Sequence, residues 1–201
     1  MDRESSVLPD AGAAALAEAY LDRMMSECNS VGGVVECVID GLPAGVGDPV
    51  FEKYDASLAK AILSIGAVKG FEIGDGFQAA KSVGSENNDA FRMDESGKIK
   101  KETNHAGGIL GGISDGSRVV LRAAFKPTPS IAQQQQTVTR GMEETDIAIK
   151  GRHDPIIVPR AVVVVEAMAA LTTADLLLLS MTSRLDRIQE FFGVQDRKSV
   201  V

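Results

Sequence analysis

Hydrophobic and polar positions recur along this chain with periods that change from segment to segment, and each period predicts an element. From Asp10 onward, Leu16, Tyr20, Met24 and Cys28 return every four residues, the stripe of an amphipathic helix with Asp10 as its N-cap. The residues before it, 1–9, read as a ragged entry. Between Val34 and Ile39 the period falls to two, which predicts a strand with Val35, Cys37 and Ile39 on one face. The turn-rich stretch GLPAGVG, 41–47, follows. Asp48 and Pro49 then supply an N-cap and a first-turn residue, Phe51, Tyr54, Leu58 and Ile62 supply an apolar stripe, and Gly66 ends this second helix.

Val68 to Ile73 predicts a second strand, and Val119 to Phe125 a third, with Val119, Leu121, Ala123 and Phe125 facing inward. The polar segment 78–101 between them, with its SENND and ESGK stretches, reads as a long exposed excursion. Pro159 to Ser183 predicts a long helix, apolar on nearly every side and therefore expected at the centre of the fold. Residues 184–201 form a tail. Helix and strand do not alternate regularly, so the chain reads as one α+β domain, 1–201, in layers rather than a doubly wound sheet.

Composition narrows the function classes. Hydrophobic residues make up 44% of the 201 and charged residues 24%, enough for a sizeable core, although only 4% are aromatic. A net charge of −7 argues against a nucleic-acid partner, because neutralising phosphates along a duplex needs a basic surface. A small anionic substrate needs only a local basic pocket. The most apolar region, Ile156 to Met181, is interrupted by Arg160, Glu166 and Asp175, which argues against a membrane span. Cys28 and Cys37 form no CxxC or Cys/His cluster, so no metal site is expected. Two such cysteines without a secretory signature suit a reduced, cytoplasmic setting.

Four stretches are candidates for chemistry. In FKPTPSI, 125–131, an extended backbone would put Lys126, Thr128 and Ser130 on one face while Pro127 and Pro129 stiffen it. One cation and two hydroxyls there read either as an anion or ribityl strip or as a strand leaving its sheet with polar residues in water. In KGRHDP, 150–155, Arg152 stands just before the apolar helix, placed either to clamp a phosphate or carboxylate or to join a local ion pair. On that helix Glu166 and Asp175 are two and a half turns apart and face opposite ways, so they are not a carboxylate pair. Asp175 sits among leucines; burial there would raise its pKa and make it a proton acceptor, unless a backbone group or an arginine answers it. The glycine-rich TNHAGGILGGISDG, 103–116, lacks GK[ST] and does not match GxGxxG, so it is no standard phosphate loop, and His105 reads as structural.

The segments SVGGVVECVIDGLPAGVGDPVFEK, SIGAVKGFEIGDGF, TNHAGGILGGISDG, KPTPSI and GRHDPIIVPRAVVVVEAM, in this order, resemble the C-terminal part of chorismate synthase. The resemblance runs from Val31 to about Leu179. It implies a carbon–oxygen lyase of the shikimate pathway to aromatic amino acids. Such an enzyme makes chorismate from 5-enolpyruvylshikimate 3-phosphate by 1,4-anti elimination of phosphate, with reduced FMN lending electron density and no net redox change. It also associates the family with NADP. The implied fold is a β-α-β sandwich, with helices between two antiparallel sheets, assembled as a homotetramer.

By the same resemblance, Gly66, Ala67, Gly111, Lys126, Pro127, Thr128, Pro129, Ser130 and Arg152 would hold the flavin, and Asp175 would assist proton removal. Gly111 would then belong to a cofactor wall rather than a phosphate loop. Several family features are absent: the GESHG-type histidine, the RSSARET flavin segment and the substrate arginines of the N-terminal part. Ile156, Val163 and Leu176 also stand where the family has a small residue or Cys, a Pro and a His. The chain alone is therefore expected to be catalytically incomplete; the alternative is a non-catalytic flavin-binding or oligomerisation module on the family fold.

Overall fold

The computed structural model describes residues 10–97, 99–151 and 154–193. In chain order the elements are α1 (Ala11–Ser26), β1 (Gly33–Ile39), α2 (Tyr54–Leu63), β2 (Val68–Ile73), a 3-10 helix (Gly76–Lys81), α3 (Gly84–Asn87), the hairpin β3 (Phe91–Met93) and β4 (Ile99–Lys101), the hairpin β5 (Ile109–Leu110) and β6 (Ile113–Ser114), β7 (Val119–Phe125), the hairpin β8 (Gln135–Val138) and β9 (Glu144–Ile147), α4 (Val158–Met181) and α5 (Leu185–Phe191).

The main sheet is antiparallel with order β1-β7-β2. Central β7 pairs Phe125 with Gly33 and Val119 with Ile39 on one side, and Phe125 with Val68 and Leu121 with Ile73 on the other. Its period of two is complete: Val119, Leu121, Ala123 and Phe125 are buried, while Val120, Arg122 and Ala124 lie on the opposite, more open face. Helices α2 and α4 cover the buried face and pack on each other. Tyr54, Leu58 and Ile62 of α2 meet Val165, Ala169 and Leu176 of α4 in one core with the sheet. Each fully buried aliphatic side chain there contributes about 1.5–3 kcal/mol relative to exposure. A 2.7 Å hydrogen bond between Tyr54 Oη and Thr173 Oγ1 links the two helices.

Several expectations change. The stretch read as a tail from 184 onward is helical over Leu185–Phe191, as α5. Asp48 caps no helix: it forms an antiparallel bridge with Glu52, in which Asp48 N donates back to Glu52 O at 3.0 Å, a bond no helix makes, and Phe51 is 90% exposed. The helix begins at Tyr54, and its stripe of Tyr54, Leu58 and Ile62 is buried. Its end also differs. The helix stops at Leu63, and the left-handed residue that turns the chain into β2 is Ala67, at φ +71°, not Gly66. In α1, Asp10 does cap, its Oδ1 accepting from Ala13 N at 2.6 Å, but Met24 is the only buried member of the stripe and Cys28 lies beyond the helix. Finally, α4 is central on one face only; the other is open.

Candidate functional site

β7 ends where Pro127 removes a backbone donor, and the chain continues as the KPTPS strip. Lys126 N still donates to Ala67 O at 2.9 Å, so the two segments singled out around residues 67 and 126 lie side by side at this end of the sheet. Ser30 Oγ donates to Thr128 O at 2.6 Å, and Gln135 Nε2 to Pro129 O at 3.1 Å. A Cβ on Gly32 would strike Phe125 O and lie 3.2 Å from the Pro127 ring, so only glycine lets the SVGG segment pass beneath the strip. The strip is thus held by its backbone carbonyls. Lys126 is exposed, Thr128 and Ser130 are half-buried, and their side-chain polar atoms bond to no other described residue. One ammonium and two hydroxyls, unspent on a rigid backbone, suit an anionic oxygen cluster such as a phosphate.

The glycine-rich stretch lies at the other end of β7. Val120 N donates to Gly107 O, and Tyr54 N donates to Gly112 O at 2.8 Å. Gly107 and Gly74 touch so closely that a Cβ on Gly107 would sit 2.7 Å from Gly74 Cα. Gly111 and Gly112, at φ +61° and +87°, form the two-residue turn between β5 and β6, a conformation that favours glycine at both positions. Gly112 packs on Lys53, whereas a Cβ on Gly111 would meet nothing within 4 Å. Ser114 is buried, donating to Pro43 O at 2.6 Å and accepting from Val46 N at 2.9 Å.

Beside this turn lies a buried charge cluster that sequence reasoning missed. Lys101 Nζ donates to Asp115 Oδ2 at 2.7 Å, Asn104 Oδ1 at 3.0 Å and Asp89 Oδ2 at 3.3 Å, which uses all three of its protons. Asp89 also accepts from Thr103 Oγ1, from the backbone of His105 and Ala106, and pairs with His105 Nδ1 at 2.9 Å. Burial pushes the Asp89 carboxyl up, but these hydrogen bonds outweigh it and hold the group well below the usual carboxylate range. Asp115 is lowered in the same way, by Lys101 and Ser117 against its burial. The cluster ties both ends of the 89–101 hairpin to the glycine stretch, and His105 serves it. The only signal in sequence was a lysine and two acids flanking TNHAGG, too scattered to single out.

The long helix departs from expectation at its acid. Asp175 is exposed on α4 rather than buried among the leucines, and Glu166 is exposed as well. Arg160 bonds Asp154 at 2.8 Å near the start of α4, while Arg152 and His153 lie outside the described residues. Among the described residues no group of three His, Cys, Asp or Glu side chains could hold a metal. α4 is long and apolar enough to cross a membrane by length and composition, with mean hydropathy 2.0 and 17% of its apolar window buried.

A family model for chorismate synthase matches residues 1–178. The chain belongs to the chorismate synthase family. It is 65% identical over 188 residues to the chorismate synthase of Agathobacter rectalis, covering 94% of this chain and 51% of that protein. It is 59% identical over 168 residues to that of Methanosarcina barkeri, covering 82% and 46%. A crystal structure of chorismate synthase superposes with a TM-score of 0.71 at 30% identity, over 92% of this chain and 49% of that one. The chain spans about half the length of the curated relatives it matches.

On the chorismate synthase fold, the residues implied for the flavin do not all converge within this half. Gly66, Ala67 and Lys126–Ser130 share one end of the sheet. Gly111 stands at the other, beyond a seven-residue strand of about 20 Å. Asp175 is two residues past Thr173, which bonds Tyr54, and so lies toward the Gly111 end.

Proposed function

We propose that this chain is the C-terminal portion of a chorismate synthase, and that the whole enzyme carries out the 1,4-anti elimination of phosphate from 5-enolpyruvylshikimate 3-phosphate. What supports this reading is the family match together with the strip: Lys126, Thr128 and Ser130 have free polar atoms on a backbone anchored to Ala67 and Ser30. Those residues fit the phosphate and ribityl end of FMN. Lys126 would supply the charge, Thr128 and Ser130 the hydroxyl contacts, Pro127 and Pro129 the rigidity, and Gly66 and Ala67 a neighbouring wall. When bound in reduced form, the flavin supplies electron density for the departure of phosphate. Gly111, Arg152 and Asp175 enter on the resemblance alone, as do a homotetrameric assembly, a link to NADP and a cytoplasmic location. The 201-residue chain by itself is catalytically incomplete, since the histidine and arginine motifs of the family's other half are missing from it.

A second reading, a flavin-binding or oligomerisation module without catalysis, draws support from the half-length coverage and the exposed Asp175. Titration of FMN into the chain, with and without 5-enolpyruvylshikimate 3-phosphate, separates the two. Flavin fluorescence reports binding and a chorismate assay reports turnover. We expect binding without chorismate from this chain, and chorismate once the other half of a relative is supplied. Chorismate from the chain alone contradicts the incomplete-enzyme reading; binding with no rescue favours the module.

A further inference from the structure

The KPTPS strip is fixed at its centre by two side chains from separate parts of the chain. Ser30, between α1 and β1, donates Oγ to Thr128 O at 2.6 Å, a partly buried bond between residues 98 apart in sequence. Gln135, the first residue of β8, donates Nε2 to Pro129 O at 3.1 Å, and Ile131 N shares that carbonyl at 3.0 Å. Two residues earlier, Gln133 Nε2 donates to Glu27 O at 2.6 Å and fastens the same approach to the end of α1. Gln134, between them, bonds Asp146 of β9 instead.

The donors of the same stretch are left over. Pro127 and Pro129 have no N–H, and Lys126 N is committed to Ala67 O. The remaining backbone donors, Thr128 N and Ser130 N, have no partner among the described residues, and neither have Thr128 Oγ1, Ser130 Oγ and Lys126 Nζ. A carbonyl oxygen that faces an anion repels it, whereas N–H, O–H and ammonium groups attract it. With the Thr128 and Pro129 carbonyls occupied by Ser30 and Gln135, the centre of the strip is left to its donors. That asymmetry suits the terminal oxygens of a phosphate monoester.

We propose that Ser30 and Gln135 are positioning residues for a phosphate monoester at the strip. They hold the Thr128 and Pro129 carbonyls away from it, and the Thr128 and Ser130 amides join Lys126 and the two hydroxyls as its donors. The inference rests on the strip's part in the proposed function, with the phosphate of FMN as the ligand. Fluorescence titration of the 201-residue chain with FMN and with riboflavin, which has the same ring and ribityl chain without the phosphate, tests it. The wild-type chain should prefer FMN by about tenfold or more. Ser30→Ala and Gln135→Ala should each lower FMN affinity by about fivefold or more and leave riboflavin affinity within about twofold, with unchanged far-UV circular dichroism. Ser30→Thr, which keeps the donor, should restore the preference, and Gln134→Ala should not alter it. If Ser30→Ala unfolds, Gln135→Ala carries the same expectation, since its bond is exposed. A wild-type chain with no preference for FMN overturns this inference and the strip's part in the proposed function together. A preference that survives both alanine variants overturns this inference alone. So does an equal loss of FMN and riboflavin, which would make the two bonds merely structural.

Discussion

Lys101 Nζ lies 2.7 Å from Asp115 Oδ2, and the two side chains are 3% and 8% exposed. With Asp89 on its other side, this lysine is the buried counter-charge for two carboxylates that reach it from different segments of the chain. Removing one partner of such a group leaves an unanswered buried charge, which costs more than the pair itself contributes. Lys101→Ala should therefore destabilise the fold by about 3–5 kcal/mol in urea denaturation. A loss comparable to that of an exposed lysine would show that the cluster is better solvated than its burial implies.

The same carboxylates predict the acid limb of stability. Asp89 and Asp115 have folded-state pKa values below their ordinary 3.8, so the unfolded chain takes up protons first as the pH falls. Their contribution is complete well above pH ~4 and is lost as the pH drops from there toward the depressed folded values. Asp115→Asn should flatten the decline of unfolding free energy in that range, measured by denaturant titration at a series of pH values. An unchanged slope would falsify the assignment.

Gly107 and Gly111 both have left-handed φ, +64° and +61°, but only Gly107 is crowded. Gly111→Ala should cost only the backbone strain, about 1 kcal/mol. Gly107→Ala adds a collision with the Gly74 backbone and should cost clearly more. Thermal melts of the two variants give the order directly, and the reverse order would refute the packing described.

Tyr54→Phe keeps the buried ring and removes the hydroxyl facing Thr173. A loss of about 1 kcal/mol is expected, the usual net worth of a hydrogen bond. No change would mean that helix packing, not this bond, sets the relation of α2 to α4.

Lys126→Ala should leave stability within ~0.5 kcal/mol, because the side chain is exposed and bonds to no described residue. FMN affinity should fall by about tenfold or more, the loss of one charge-assisted hydrogen bond. Equal affinity in fluorescence titration would remove Lys126 from the proposed site.

Much of the fold was legible because its signals are local. The alternation of Val119, Leu121, Ala123 and Phe125 records which side of one strand is dry, and the four-residue recurrence of Tyr54, Leu58 and Ile62 does the same for one helix. The start of α2 is not legible in sequence because Asp48 and Pro49 are as good a helix opening as any, and only the bridge of Asp48 with Glu52 removes the option. The KPTPS strip was legible as an unspent cation and two hydroxyls. The bond from Lys126 N to Ala67 O has no local trace in residues so far apart, and only the family resemblance, which sets both against the flavin, brought them near each other.

By itself, then, the sequence determined the α+β class, the periods of the strands in the sheet and of α2, and the family, each through neighbours a few residues apart or motifs read in order. Three things waited for the tertiary structure. One was which face of α4 is covered, because a helix apolar all round carries no phase. Another was the burial of Lys101 between Asp89 and Asp115, because it depends on chain segments closing on one another. The last was the separation of Gly111 from Lys126, because sequence order does not say at which end of a strand a loop returns.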